Sequence, residues 1–158
     1  MKGDDVIKRK RLFPPTSFRV FLRTDPPINA EIRNQTIRNI NILKNANETD
    51  LTDRIRSLNS EWDTERVLEV NAAILILLSS YLGIKSSRLW FLLTGIIGIF
   101  VLQHALQGWC PPLPIIRKWG VRTEDEINSE RIVLKLIRGD FKEEGSTVID
   151  ILNAVEKQ

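Results

Sequence analysis

Two residues of the segment HALQGWCPPLP could do chemistry, because residues 104–114 hold the only histidine and the only cysteine of the chain. A thiol beside an imidazole can serve as nucleophile and base, and both groups bind metals or haem. His104 and Cys110 are six residues apart, about 240° around an ideal helix, so they would not share a helix face. No third residue that would orient them is evident. We therefore predict no catalytic residue, and keep Cys110 as a candidate functional thiol.

The same segment also has the features of a helix end. Gly108 favours termination of a helix, and the prolines at 111 and 112 turn the chain away from the helical path. Trp109 is a residue type enriched at membrane interfaces. On this interpretation Cys110 is structural, and the sequence leaves both interpretations open.

Composition excludes several classes of protein. One cysteine in 158 residues rules out an internal disulfide framework, a Cys-x-x-Cys redox pair and a zinc knuckle. A net charge of +3 without a recognisable DNA-binding module gives no reason to expect a nucleic-acid partner. A single histidine and a single cysteine supply too few ligands for a metal site within one chain. We expect no cofactor, no metal and no enzymatic activity.

Two long apolar stretches must position this segment. Residues 67–84 and 89–106 contain almost no charge, and the link KSSR separates them. Each stretch would span roughly 27 Å as a helix, against a hydrocarbon core of about 30 Å. Apolar side chains occur on every side of both stretches, unlike the one-sided stripe of a soluble surface helix. The pattern predicts an antiparallel transmembrane hairpin in contact with the lipid bilayer.

Basic residues give the hairpin an orientation. The link carries only Lys85 and Arg88, whereas more positive charges flank the pair: Arg54, Arg56 and Arg66 before it, Arg117, Lys118 and Arg122 after it. Positive residues accumulate in the cytoplasmic segments that flank transmembrane helices. The sequence therefore predicts a multi-pass protein with both termini in the cytoplasm.

Small and polar residues inside the spans favour close helix packing. They support packing within the hairpin or between copies, but cannot separate the two. Two helices make a poor pore, so a channel or small-anion exporter would need several copies. The helix-packing candidates are Asn71, Ser79, Gly83, Thr94 and Gly98.

The flanks complete an all-α membrane protein, a two-helix transmembrane hairpin between cytoplasmic amphipathic helices. Residues 1–27 are basic and proline-containing, and predict an extended or disordered tail. Residues 28–62 predict a helical segment interrupted near 45–47, either in a coiled coil or on the membrane. In the 123–158 segment, Thr123 and Glu126 form a capping-box pattern opening a helix to about Arg138, and a last short helix begins near 146.

Residues 64–124 contain four short motifs: ER at 65–66, TG at 94–95, GWCP at 108–111 and WGVRT at 119–123. With these motifs the segment resembles the YgaP-like transmembrane domain, a family of bacterial inner-membrane hairpins largely without assigned function. The resemblance implies a bacterial inner-membrane location and dimerisation. The chain departs from the family in lacking a rhodanese domain, and Glu124 stands where many relatives have a second cysteine, so a dithiol shuttle within one chain is excluded. The residues that carry the resemblance are Glu65, Arg66, Thr94, Gly95, Gly108, Trp109, Cys110, Pro111, Trp119, Gly120 and Thr123.

We expect a homodimeric membrane anchor or interaction module, with a possible protein partner at the cytoplasmic helices. The first alternative is a membrane component of sulfur or redox handling that uses the thiol of Cys110. The second is the oligomeric channel or small-anion exporter.

Overall fold

The computed structural model describes residues 13–141 and residue 152, and helices are the only regular structure in this part of the chain. Within residues 13–141, a 3-10 turn at Thr16–Phe18 is followed by seven α-helices. They are α1 (Arg19–Arg23), α2 (Pro26–Leu43), α3 (Glu48–Ser60), α4 (Thr64–Lys85), α5 (Leu89–Gln107), α6 (Leu113–Lys118) and α7 (Glu124–Arg138). The all-α class predicted from the sequence is confirmed for these residues.

Helices α4 and α5 form the hairpin. They have 22 and 19 residues, or about 33 and 28 Å of helix. By length and composition the structure has two candidate membrane spans, within Glu48–Lys85 and at Leu89–Gln107, each with a window of mean hydropathy 1.9. Only 17% and 6% of those windows are buried, so these apolar helices are not the core of a soluble fold. A bilayer would cover the exposed apolar surface.

The two spans meet through small and polar side chains. The hydroxyls of Ser79 and Thr94 are 2.7 Å apart. Gly83 lies against the ring of Phe91, where an added Cβ would be 2.9 Å from two ring carbons. Two other packing candidates lie elsewhere. Asn71 is exposed and donates to the Val67 carbonyl of its own helix (2.7 Å), and a Cβ on exposed Gly98 would meet nothing within 4 Å.

Helices α2, α3 and α7 pack into a small bundle beside the hairpin. The break between α2 and α3 falls at residues 44–47, where the Asn47 side chain accepts a hydrogen bond from the Asp50 amide (2.8 Å) and caps α3. The capping box predicted at Thr123 and Glu126 opens α7, which ends at left-handed Gly139. The buried apolar residues of this bundle are Leu51, Ile55, Leu58, Ile127 and Leu134.

The structure differs from the extended tail predicted for residues 1–27. Residues 16–23 are helical, and Val20 is buried against the hairpin. Residues 1–12 lie outside the described part of the chain, as does the last short helix predicted from residue 146, apart from Leu152. The short helix forms because its apolar face is covered: packing outweighs the weak helical preference of five residues.

Candidate functional site at the junction of the spans

The start of α4 and the end of α5 meet in a closed junction, which also takes in α1 and α6. Gly108 adopts a left-handed conformation (φ 74°) and ends α5, and its amide donates to the His104 carbonyl (2.8 Å). The chain then turns back, so that α6 packs beside α4. We call the buried apolar residues here the junction cluster: Val20, Leu68, Cys110, Leu113 and Ile116.

His104 is held by a carboxylate from the other span. Its Nε2 atom lies 2.8 Å from Oε2 of Glu65, which also accepts hydrogen bonds at Oε1 from Nη2 (2.9 Å) and Nε (3.3 Å) of Arg19. Arg19 donates in addition to the Ala105 carbonyl (3.3 Å). The carboxylate therefore joins α1, α4 and α5, and fixes which imidazole nitrogen faces it.

Cys110 lies two residues beyond Gly108, off the end of α5, and belongs to the junction cluster. Cys110 is 5% exposed and His104 is 8% exposed. Helical spacing does not describe the relation between the two residues, because the left-handed turn at Gly108 takes Cys110 off the helix. Sequence reasoning also missed Glu65 as the orienting third residue. It is one of the motif residues, but 39 positions separate it from His104.

Two buried arginines connect the hairpin to the bundle. The guanidinium of Arg117, fully buried, donates to both carboxylate oxygens of Glu126 (2.7 and 2.8 Å), to Asn29 (2.9 Å) and to Thr24 (3.2 Å). Such a bidentate pair is both strong and directional. From the sequence, Arg117 counted only as a positive charge flanking the spans.

Arg122 makes the second connection. It forms a bidentate pair with Glu61 (2.6 and 2.8 Å) and also binds Glu130, a fully buried carboxylate that pairs in addition with Arg54 (2.8 Å). The carbonyl of Arg122 accepts hydrogen bonds from the amide and hydroxyl of Thr64 (2.8 and 2.9 Å) at the first residue of α4. The first residue of the span is therefore hydrogen-bonded to Arg122, which is itself paired with carboxylates of the bundle.

Electrostatics at this connection favour the ionised carboxylate of Glu126. Burial raises its pKa, but hydrogen bonds from Arg117 and from Thr123, together with the positive charge of Arg117, act in the opposite direction. The pKa of Glu126 is lowered overall from its ordinary value of 4.5. Glu126 therefore stays charged at neutral pH and keeps Arg117 paired.

The remaining motif residues are structural in their contacts. Arg66 stacks over Trp62, with its guanidinium carbon 4.8 Å from the ring centroid. Trp109 is partly buried against the junction cluster, whereas Pro111 is exposed. Gly120 has a positive φ of 83° after α6. Among residues 13–141 and 152, no group of three or more His, Cys, Asp or Glu side chains is placed to hold a metal ion.

These features define a helical protein with two candidate membrane-spanning helices joined to a polar helical bundle. Residues 63–125 match the family model described as "Inner membrane protein YgaP-like, transmembrane domain". The resemblance predicted from the motifs is confirmed for this segment, which is less than half of the chain. The segment includes the hairpin, both buried arginines and the junction residues of α4, α5 and α6, but not those of α1. No curated protein and no solved structure matches the chain.

Proposed function

We propose that this protein is a non-enzymatic, two-span anchor of the bacterial inner membrane that displays its helical bundle in the cytoplasm as an interaction module. One observation carries the proposal: Arg117 and Arg122 connect the hairpin to the bundle through buried ion pairs. A bundle on a flexible linker would sample many orientations, whereas this one is held at a fixed height and angle to the membrane. Such rigidity suits a protein that presents a binding surface.

The binding surface we assign to the bundle lies on α7. Ile132 and Leu136 are 49% and 60% exposed, and their spacing of four places them on one face of the helix. Replacing both with aspartate should abolish recovery of a bound protein after crosslinking in intact cells, since charge would oppose burial of this face. Ser57→Asp, which adds a charge at an exposed position of α3 in the same bundle, is the matched control. Equal recovery from all three proteins would contradict the proposal.

The proposed topology places both termini in the cytoplasm. In a Cys110→Ser background, a cysteine at Ser86 in the link should react with a membrane-impermeant maleimide added outside spheroplasts. A cysteine at Ser129 should react only in inverted vesicles. Labelling of both positions from the same side would contradict the two-span arrangement.

The proposed homodimer uses a face of the hairpin that residues 13–141 leave open. Glycines allow two helices to approach closely, and Gly98 has no neighbour within 4 Å of an added Cβ. Gly98→Leu should lower energy transfer between labelled copies in liposomes while the hairpin stays intact. Gly83→Leu should instead disturb the hairpin, because Phe91 occupies that space. Unchanged transfer in Gly98→Leu would contradict a dimer through this face.

A further inference from the structure

The short helix α1 presents an apolar face that nothing in the anchoring role explains. Phe18, Phe21 and Leu22 are 56%, 44% and 61% exposed, and their spacing of three and four residues places them on one side of the helix. Val20 occupies the opposite side, where it is 2% exposed and belongs to the junction cluster. The helix is therefore fixed by one face and presents three large apolar side chains on the other. Adjacent exposed apolar side chains of this size mark a binding surface.

The position of α1 beside the second span indicates what covers this face. The backbone of Arg19 lies directly against Gly108, which ends α5, and the Arg19 side chain donates to the Ala105 carbonyl (3.3 Å). With 19 residues, or about 28 Å of helix, α5 matches a hydrocarbon core of about 30 Å, so its end lies at the edge of that core. The five residues of α1 extend only about 7.5 Å. The whole of α1 therefore lies in or directly beside the lipid headgroup layer, which is about 5–7 Å deep in each leaflet.

Two arginines near this face have no protein partner. Arg23 ends α1 and Arg33 lies in α2; both are exposed, and within residues 13–141 neither side chain makes a hydrogen bond or an ion pair. Arg33 lines a groove between the two helices, whose walls include Phe21 and Leu22. Apolar walls beside a free cation match a ligand that is both amphipathic and anionic. Basic residues at the membrane surface attract the anionic lipids of the cytoplasmic leaflet, which are such ligands.

We propose that α1 is a third membrane contact, an interfacial helix that inserts Phe18, Phe21 and Leu22 into the cytoplasmic leaflet and binds anionic phospholipids through Arg23 and Arg33. The apolar side chains enter the boundary between headgroups and acyl chains, and the guanidinium groups stay level with the lipid phosphates. Five residues are too few for a stable helix in isolation, but the junction holds this one in place. The proposal rests on the proposed two-span topology and adds a lipid partner that anchoring does not require. It concerns residues outside the segment that matches the family model.

The first test measures the depth of α1 in the full-length protein, reconstituted in nanodiscs. In a Cys110→Ser background, a fluorophore is attached to a single cysteine introduced as Phe18→Cys or Leu22→Cys. It is quenched either by phosphatidylcholine with a doxyl group high on its acyl chain or by iodide in the buffer. We expect loss of fluorescence from the lipid quencher at both positions. Thr49→Cys, exposed at the end of α3 away from the spans, is the control and should be quenched by iodide alone.

The second test identifies the lipid. The doxyl chain is carried either on phosphatidylglycerol or on phosphatidylcholine, at equal mole fraction in nanodiscs that contain both lipids, so the two quenchers differ in headgroup alone. Quenching of the label at position 22 should be stronger from phosphatidylglycerol, because each arginine at the surface enriches anionic lipid by up to about fivefold. Changing both Arg23→Gln and Arg33→Gln should remove this difference. Arg56→Gln, which removes an exposed arginine of α3, should leave it unchanged. Circular dichroism confirms that each variant is folded.

Three outcomes would overturn the proposal. In the first, iodide quenches the labels at positions 18 and 22 as strongly as the label at position 49, which would show that the face of α1 lies in water. In the second, the labels on α1 are protected from both quenchers, which would show that a protein covers the face instead of lipid. In the third, the two headgroups quench equally when both arginines are present, which would show that α1 has no preference for anionic lipid.

The topology is measured separately, by maleimide labelling at Ser86 and Ser129. If those positions react from opposite sides of the membrane and the lipid quencher does not reach α1, the interfacial helix is wrong and the two-span anchor stands. If both positions react from the same side, the two-span topology itself is wrong.

Discussion

Gly108 lies directly against the backbone of Arg19, so closely that a Cβ at position 108 would be 2.5 Å from both the carbonyl carbon and the carbonyl oxygen of Arg19. This contact holds α1 over the end of the second span. Because Gly108 also has a positive φ, the position requires glycine for two separate reasons: backbone conformation and space.

Gly108→Ala should therefore lower the free energy of unfolding by more than the left-handed backbone conformation alone would account for. Gly120 is the matched control, since it has a similar φ of 83° but nothing within 4 Å of an added Cβ. Gly120→Ala should lower the free energy of unfolding by about 1 kcal/mol. Gly108→Ala should add about 1–3 kcal/mol for overpacking against Arg19. Denaturant unfolding in detergent compares the two, and equal losses would show that α1 does not rest on Gly108.

The connection through Glu126 makes stability depend on pH. The pKa of Glu126 is lower in the folded protein than its ordinary value of 4.5, so its contribution is complete above that value and is lost as pH falls through the lowered folded pKa. Glu126→Gln should lower the thermal unfolding temperature at pH 7. The difference from wild type should shrink steadily below about pH 4.5, because protonated glutamate and glutamine are both neutral. A difference that stays constant down to pH 3 would contradict this role.

Glu130 is the buried centre of the second ion-pair connection, with Arg54 and Arg122 on either side. Glu130→Gln removes the charge that both arginines share, and should lower the free energy of unfolding by about 3 kcal/mol, the cost of breaking a buried pair from one side. Glu124→Gln, six residues earlier and exposed on the same helix, should change stability by less than about 0.5 kcal/mol. If Glu130→Gln lowered the free energy of unfolding no more than Glu124→Gln does, Arg54 and Arg122 would have to find other partners.

Much of the fold was predictable because its signals are local. Apolar runs about as long as a bilayer crossing predict α4 and α5, and the pattern at Thr123 and Glu126 predicts the start of α7. The candidate site was harder to predict from the sequence, because its residues lie far apart along the chain. Nothing in the spacing of His104 indicates Glu65, which it meets only when the hairpin closes.

The errors have physical causes of the same kind. Helical spacing was applied from His104 to Cys110, but the left-handed turn at Gly108 ends the helix before Cys110. Proline content suggested an extended tail, but residues 16–23 form helix because Val20 is covered by the junction cluster. In both cases tertiary packing or a backbone turn outweighed the local pattern.

The hydrogen bond between Ser79 and Thr94 gives a direct test of packing within the hairpin. Their hydroxyl oxygens are 2.7 Å apart across the two spans, whereas that of Ser80 is 3.5 Å from the same threonine hydroxyl. Ser79→Ala should lower the free energy of hairpin unfolding by about 0.6–1.7 kcal/mol, the range for hydrogen bonds between membrane helices. Ser80→Ala, the same change one residue further on, should cost less because its contact is long.

Steric trapping or unfolding in mixed detergent micelles would measure both variants. Thr94→Val completes a double-mutant cycle. In the Thr94→Val background, Ser79→Ala should no longer change the free energy of unfolding, because the Ser79 hydroxyl has already lost its partner. An undiminished effect would show that Ser79 acts through its contact with the Ile76 carbonyl of its own helix (3.2 Å). In that case the packing of Gly83 against Phe91, and not a polar contact, would hold the two spans together.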